Sequence, residues 1–199
     1  MVAVTVIIPT YNRAEQLRAC LQALSRQTQR STDYEVIVVV DGSTDGTLDM
    51  LASLKTPYSL RVIQQRNGGQ SAALNRGAAA ASGEILIFID DDLVAEPTLV
   101  AEHFRLHRER KHVVGIGQMP LTVPQNADWF ARQFERDWNQ HYRELNQGSR
   151  EAVWDDCYGG NMSVSKATYL EVGGNDESLW RFKDMDLAYR LERYGCEFV

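Results

Sequence analysis

The most chemically informative residues of this chain are three adjacent carboxylates, Asp90, Asp91 and Asp92. Adjacent carboxylates repel one another and raise one another's pKa unless a cation or several hydrogen-bond donors compensate. Mg2+ and Mn2+ prefer oxygen ligands, and proteins often hold them with one or two carboxylates together with substrate phosphates. Since the triplet directly follows the apolar run Ile85–Ile89, we predict a divalent-cation site at the end of a buried strand. The alternative is a solvated loop or helix start, where acidic residues are also favoured.

Polar residues also follow two earlier apolar runs, residues 4–9 (VTVIIP) and 34–40 (YEVIVVV). These polar residues are Thr10, Tyr11, Asn12, Asp41 and Ser43. In open parallel sheets, ligands bind outside the carboxyl ends of the strands. We therefore expect three strand ends to deliver polar side chains to one edge of one sheet.

Two acidic residues, Asp184 and Asp186, lie near the start of the last predicted helix, residues 184–194. A carboxylate at this position is a candidate general base. The alternative is a capping role, because a negative charge near a helix start is favoured by the helix dipole. The spacing of the residues leaves both interpretations open.

Gly159, Gly160 and Asn161 also have two interpretations, a close approach of the backbone to another group or a turn before a strand at 162–164. A further pattern is the aromatic stripe of a predicted helix at 127–145. We interpret the stripe as part of the core rather than as a ligand platform. Its members are Phe130, Phe134, Trp138 and His141.

Alternating strands and helices must position these residues. Strands are predicted at 4–9, 34–40, 60–63, 85–89, 113–117 and 162–164, with the first strand ending at Pro9. The first helix is predicted to follow Asn12, which would be its N-cap, with Glu15 three residues later. Further helices are predicted around 48–54 and at 70–81, 97–107, 127–145 and 184–194. Gly173 and Gly174 are expected to end a helix. The alternation predicts an α/β fold with a doubly wound, mostly parallel sheet flanked by helices.

Composition limits the class of protein. With 199 residues, 44% of them hydrophobic, and a net charge of −6, the chain reads as one globular domain. The acidic balance and dispersed basic residues argue against a nucleic-acid partner, and we find no apolar stretch that predicts a transmembrane segment. The three cysteines, far apart, predict buried free thiols.

The two ends of the sequence carry expectations of their own. The N-terminus lacks a signal-peptide pattern, which predicts a cytoplasmic location, with any membrane association left to missing C-terminal residues or to partners. Residues 196–199 read as the start of a further strand, so we expect a chain truncated at its C-terminus.

Several common nucleotide and hydrolase motifs are missing from the sequence. It contains neither GxGxxG after the first strand nor GxxxxGK[ST], which argues against a dinucleotide dehydrogenase or a P-loop phosphotransferase. It also lacks the GxSxG elbow of the hydrolases.

Five sequence blocks together resemble the family 2 glycosyltransferases of the GT-A fold. The blocks are VTVIIPTYNR (4–13), VVVDGSTDGT (38–47), NGGQSAALNRGAAAASGEILIFIDDD (67–92), YGGNMSVSKATYLEVGGNDESL (158–179) and KDMDLAYRLERYG (183–195). They cover most of the chain and occur in the family's order.

The resemblance implies a role for each matching residue. The implied nucleotide-binding residues are Pro9, Thr10, Tyr11, Asn12, Asp41, Gly69, Gln70, Asp90 and Asp91. Asp41 would contact the base, since a carboxylate can accept the imide N–H of uracil. Asp92 and Asp90 would hold Mg2+ or Mn2+, Gly160 and Asn161 would lie near the donor sugar, and Asp184 would be the base that deprotonates the acceptor hydroxyl.

Two residues depart from the family pattern. Lys183 stands where the family usually has Glu, and a neighbouring cation lowers the pKa of a carboxylate such as Asp184. Asn175 stands where an aromatic residue commonly follows the Gly-Gly pair. These departures bear on the acceptor more than on the donor.

The expected function is an inverting, metal-dependent glycosyltransferase that moves a sugar from a nucleotide-diphosphate sugar, a UDP-sugar above all, to a hydroxyl of a carbohydrate or other acceptor. Residues 1–117 would be the half that binds the nucleotide sugar, and residues 118–199 the start of the acceptor half. One alternative is a nucleotide-sugar-binding module with little transferase activity. The other is a sugar nucleotidyltransferase, although that class would normally show a glycine-rich loop where this chain has PTYNR.

Overall fold

A computed structural model describes residues 2–199, which form one sheet with helices on both of its faces. The strands are β1 (Val4–Thr10), β2 (Tyr34–Asp41), β3 (Ser59–Gln65), β4 (Ile85–Ile89), β5 (Val113–Ile116), β6 (Asn161–Ser165) and β7 (Glu197–Phe198). The helices are α1 (Ala14–Leu24), α2 (Thr47–Ser53), α3 (Gln70–Ala80), α4 (Leu99–Glu109), α5 (Trp129–Asn146), α6 (Lys166–Glu171) and α7 (Lys183–Arg193). A 3-10 turn covers Trp154–Asp156.

The strand order is β3-β2-β1-β4-β6-β5-β7. Strands β1 to β4 run parallel to one another, and β7 runs parallel to β5. Strand β6 is antiparallel to both β4 and β5. The predicted α/β fold with a mostly parallel sheet is therefore confirmed.

Alternate residues of the central strands enter two separate cores. Val4, Val6 and Ile8 of β1 pack with α1, α2 and α4 on one face of the sheet. Ile7 packs with α3, α6 and α7 on the other face. This arrangement explains the near-continuous apolar runs, because a parallel strand covered on both faces buries side chains in both directions.

The strand predicted at 162–164 is β6, which runs antiparallel within the mostly parallel sheet. In the register of β6 against β4, Asn161 lies opposite Ile89, the last residue of β4. An antiparallel strand begins where its parallel neighbours end. The residues just before Asn161 therefore lie at the same edge of the sheet as the acidic triplet.

Two local predictions at the first strand are wrong. Strand β1 continues through Pro9 to Thr10, and it pairs with β4 only over residues 4–7. Pro9, which lacks an N–H donor, thus lies where β1 has one neighbouring strand instead of two. Asn12 does not cap α1, because it has a φ of 54° and the N-cap residue is Arg13.

The aromatic stripe of α5 also differs from its prediction. Phe130 is 72% exposed and Phe134 is 49% exposed, whereas Tyr142 is the residue of this helix that is buried. An amphipathic pattern identifies an apolar helix face, but it does not identify what covers that face.

Three further expectations agree with the structure. Cys20, Cys157 and Cys196 are buried free thiols. Gly173 and Gly174 follow the end of α6 with φ values of 88° and 66°, conformations that favour glycine. Across residues 2–199, no helix has both the length and the apolar character needed to cross a membrane.

Candidate functional site

The acidic triplet lies at the carboxyl end of β4, and each of its carboxylates has its own protein partner. Thr10 Oγ1 donates to Asp91 Oδ2 at 2.7 Å. Arg13 Nη1 bridges the next two groups, lying 3.2 Å from Asp91 Oδ1 and 2.9 Å from Asp92 Oδ2. Gln70 Nε2 donates to Asp90 Oδ1 at 2.9 Å. The triplet is therefore compensated in part by side chains from the β1 loop and from α3.

Burial and crowding disfavour the ionised form of the two inner carboxylates. Burial, followed by the negative charges of Asp92 and Asp184, raises the pKa of Asp90 to about 6. Burial also raises the pKa of Asp91, although Thr10 and Arg13 act in the opposite direction. Additional positive charge at this position would therefore favour the ionised carboxylates.

Gly159 and Gly160 lie between the triplet and Asp184. A Cβ placed on Gly160 would lie 2.5 Å from Asp90 Oδ2, and one placed on Gly159 would lie 2.6 Å from Asp184 Oδ1. The Asp90 N–H donates to the Gly160 carbonyl at 3.1 Å. Of the two open interpretations of the glycine pair, the structure supports a close backbone approach, and the approach brings two distant carboxylates to one place.

The surroundings of Asp184 and Asp186 distinguish the two acidic residues of α7. Asp186 Oδ2 accepts hydrogen bonds from Arg190 one turn later, at 2.9 Å from Nε and 2.6 Å from Nη2. Asp184 instead lies against the backbone of Gly159, and Phe182 occupies the N-cap position of the helix. Burial raises the pKa of Asp184, while Lys183 and the Gly159 N–H lower it. Asp184 is therefore the carboxylate that faces the triplet, with a pKa shifted in the direction that a general base needs.

A chain of hydrogen bonds joins the starts of two helices to the triplet. Lys183 Nζ, at the start of α7, donates to Gln70 Oε1, and Gln70 in turn donates to Asp90. Lys183 thus brings a positive charge near both Asp90 and Asp184, and this charge lowers the pKa of both carboxylates.

Asp41, at the end of β2, holds the loop before α3. Its Oδ1 accepts from Gln65 Nε2 and from the Gly68 N–H, both at 2.8 Å, and its Oδ2 accepts from the Gly69 N–H at 2.9 Å. Gly69 has a φ of 88°, which favours glycine at this turn. Asp41 is therefore a structural anchor for the loop, with acceptor capacity remaining on Oδ2.

The residues after β1 divide into buried and exposed positions. Pro9 and Thr10 are buried within the strand, whereas Tyr11 is 48% exposed. Asn12 joins two strand-end loops, because its Oδ1 accepts from the Thr44 N–H at 2.7 Å and its N–H donates to Ser43 Oγ at 3.0 Å. The β1 and β2 loops therefore meet at one sheet edge.

Asn161 is buried, and both ends of its amide have partners inside the protein. Its Nδ2 donates to the Gln118 carbonyl at 3.0 Å, so its Oδ1 is the acceptor for His103 Nε2 at 3.2 Å. A Cβ on Gly117 would lie 2.2 Å from Asn161 Nδ2. The Asn161 side chain, at the position implied to lie near a donor sugar, thus has both of its polar atoms bound within the fold.

Sequence reasoning missed two residues of this site. Arg13 was not identified as the partner of Asp91 and Asp92, although a cation in the loop after β1 is the signal that would have suggested it. His103 lies within the helix predicted at 97–107, and the sequence predicted no role for it in the site. Its contact with Asn161 joins residues 58 positions apart, which no local pattern reveals.

Comparisons with known proteins give a consistent result. The sequence profile described as glycosyl transferase family 2 matches residues 5–173. Validoxylamine A glucosyltransferase of Streptomyces hygroscopicus subsp. jinggangensis is 30% identical over 217 residues, covering 96% of this chain and 51% of the relative. Poly(ribitol-phosphate) beta-glucosyltransferase of Bacillus spizizenii is 31% identical over 119 residues, covering 58% of this chain and 19% of the relative. The chain spans about half the length of the first two curated relatives that it matches.

Solved structures show the same fold. S. aureus TarS 1-349 in complex with UDP-GlcNAc has a TM-score of 0.72 at 21% identity, covering 98% of this chain and 55% of that one. The mannosyltransferase PcManGT from Pyrobaculum calidifontis, in complex with GDP-Man and Mn2+, has a TM-score of 0.74 at 22% identity, covering 98% and 53%.

Proposed function

Since the chain belongs to glycosyl transferase family 2, we propose that it is an inverting glycosyltransferase. Its donor would be a nucleoside diphosphate sugar, with a UDP-sugar first among these, and its acceptor a hydroxyl group of a carbohydrate or another molecule. The observation that carries this proposal is the position of Gly159 and Gly160, which have Asp184 on one side and Asp90 on the other.

This geometry suits a displacement at the anomeric carbon. Asp184 would accept the proton of the acceptor hydroxyl while the acceptor oxygen forms a bond to the anomeric carbon. The bond from that carbon to the diphosphate oxygen breaks, and its electron pair leaves with the nucleoside diphosphate. Attack from the side opposite the leaving group inverts the anomeric centre, so the base and the diphosphate site must flank the sugar as these two carboxylates flank the glycines.

The residues at the triplet fit a divalent cation, Mg2+ or Mn2+. Within residues 2–199, no three His, Cys, Asp or Glu side chains are grouped to hold a metal ion by themselves. Two carboxylates together with donor phosphates are nevertheless a common ligand set for these ions. Asp90 and Asp92 would supply the protein oxygens, and the side chain of Asp92 is 56% exposed and so accessible. When bound, such an ion would stabilise the negative charge of the leaving diphosphate.

Donor recognition would use the loops after β1 and β2 together with the start of α3. Thr10 and Gln70 bind the triplet directly, and Tyr11, Asn12 and the Asp41-anchored turn at Gly69 belong to the same strand-end loops. We assign nucleotide-sugar binding mainly to residues 1–117 and the start of the acceptor half to residues 118–199. Gly160 of the second half would complete the donor site, with Asn161 next to it in the chain.

The identity of the donor's nucleobase is a separate question, for which the solved neighbours offer two candidates, uracil and guanine. TarS 1-349 has structures with UDP and with UDP-GlcNAc, and PcManGT has one with GDP-Man and Mn2+. We favour UDP because Asp41 Oδ2 retains capacity to accept the imide N–H of uracil. Isothermal titration of UDP and GDP, each with and without Mn2+, tests the nucleobase preference and the metal dependence of binding together.

A turnover assay distinguishes an enzyme from a binding module. We expect release of UDP from a panel of UDP-sugars in the presence of Mn2+, with water or an added hydroxyl compound as the acceptor. Tight UDP binding without any UDP release from a complete panel would favour the binding-only alternative. Formation of a UDP-sugar from UTP and a sugar phosphate would instead indicate a nucleotidyltransferase.

A further inference from the structure

Lys183 is the side chain of this site that the proposed chemistry does not yet use. It is the first residue of α7, and its ammonium group donates to the side-chain oxygen of Gln70, the first residue of α3. The two residues are 113 positions apart, so the fold brings their helix starts together.

The two cations near the triplet have different partners. Arg13 forms ion pairs with Asp91 and Asp92, which compensate its charge directly. Lys183 donates to a neutral amide and, among residues 2–199, forms no ion pair of its own, although its charge acts on the nearby Asp90 and Asp184. An ammonium group has three donors and carries its charge as a compact point, which suits a contact with a phosphate oxygen.

The start of α3 provides a second reason to expect an anion beside Lys183. Gly69 is the N-cap residue of α3; Asp41 accepts from the Gly68 and Gly69 N–H groups, but no side chain caps the helix by accepting from its first turn. The first N–H groups of an uncapped helix, together with the helix dipole, favour a negative group. Gln70 is held between Lys183 and Asp90, so the helix start and the ammonium group lie at the same edge of the triplet.

We propose that Lys183 binds the diphosphate of the donor and shares its negative charge with the divalent cation held by the triplet. This proposal rests on the proposed function, because it takes the ligand to be a nucleoside diphosphate. Its consequence is a component of nucleotide binding that persists without any metal and grows with the number of phosphates.

Titration calorimetry of the whole chain in EDTA tests this consequence with three ligands, namely uridine, UMP and UDP. Lys183→Met removes the charge and keeps a chain of similar length, and Lys183→Arg keeps the charge. Lys166→Met is the matched control, because Lys166 is also partly buried but donates to the Ala81 carbonyl near the opposite end of β4.

We expect Lys183→Met to weaken UDP binding about tenfold, the effect of losing a charge-assisted hydrogen bond, and to leave uridine binding unchanged. The affinity of Lys183→Met for UMP should fall by an intermediate factor. Lys183→Arg should retain most of the UDP affinity, and Lys166→Met should retain all of it. Melting temperatures of the variants show whether each is folded.

Three results would overturn the assignment of Lys183. The first is a Lys183→Met variant that loses affinity equally for uridine and for UDP, and the second is a variant whose UDP affinity is unchanged. The third is that the unmodified chain no longer binds UDP in EDTA. If the unmodified chain binds no nucleoside diphosphate even with Mn2+, the proposed function itself fails. The two failures are therefore distinguishable.

Discussion

Replacing Gly159 or Gly160 with alanine moves one carboxylate of the site at a time. A Cβ on Gly159 would lie 2.6 Å from Asp184 Oδ1, whereas ordinary contact begins at 3.4 Å, so the oxygen must move by about 0.8 Å. On Gly160 the Cβ would lie 2.5 Å from Asp90 Oδ2 and 2.8 Å from Met119 Sδ. Neither glycine has a positive φ, so the strain comes from these contacts and not from the backbone.

The two substitutions should separate sugar transfer from donor binding. A shift of about 1 Å in a reacting group costs roughly a hundredfold in rate, so Gly159→Ala should lower kcat by about that factor. The affinity for UDP in the presence of Mn2+ should change by no more than about twofold, because Gly159 contacts Asp184 and not the triplet. Gly160→Ala should instead weaken metal-dependent UDP binding. UDP release and titration calorimetry, measured on both variants, give the two readouts.

Gly46→Ala is the control for a glycine-to-alanine change, since a Cβ there would have no atom within 4 Å. Full-rate transfer by Gly159→Ala would refute the assignment of Asp184 as the base held by this turn. Loss of both readouts in both variants would show that the glycine pair acts only in folding, which a melting curve would confirm.

Four further substitutions test the remaining parts of the site. Asp184→Asn should keep UDP binding and lower the rate of sugar transfer by about a hundredfold or more, because the amide is nearly isosteric but only weakly basic. Transfer at the full rate would refute the assignment of Asp184 as the general base. Asp92→Ala should abolish the Mn2+ dependence of UDP binding, and an unchanged titration with Mn2+ would exclude it as a ligand. Asp90→Asn should raise the metal-free melting temperature at pH 8 by about 2–4 °C and by less at pH 5, since burial raises the pKa of Asp90 to about 6 and the cost of ionising it grows from about pH 4, the ordinary pKa of Asp, up to that value. Equal gains at both pH values would contradict this reasoning. Burial lowers the pKa of His103 to about 4, so the unfolded chain binds its proton first and stability should fall as the pH drops from about 6.5 towards 4. Chemical denaturation should show that the stability of His103→Gln falls less over that pH range than the stability of the unmodified chain. An unchanged dependence of stability on pH would contradict this role of His103.

The sequence predicts the frame of this site because the frame depends on local patterns. Apolar β-branched runs followed by polar residues identify β1, β2 and β4, and parallel strands bring their carboxyl ends to one edge. Asp41 and Asp90 lie at that edge as expected. Those positions require only strand direction and order.

Contacts between distant residues account for what the sequence did not predict. The spacing of Asn12 and Glu15 is typical of a capping box, but the Asn12 side chain binds the loop after β2 instead. The pairing of Arg13 with Asp91 and Asp92 and of Lys183 with Gln70 likewise depends on tertiary structure. Local spacing supplies the candidates, and the fold selects their partners.

The antiparallel direction of β6 has a consequence for how the site assembles in time. Asn161 pairs with Ile89 of β4 and follows it by 72 positions, so β6 is synthesised well after strands β1 to β4. During synthesis, strands β1 to β4 would associate before Gly160 and Asp184 leave the ribosome. A partly folded chain would thus present the acidic triplet before Gly160, Lys183 and Asp184 join it, so both full donor binding and sugar transfer would have to wait until α7 has formed.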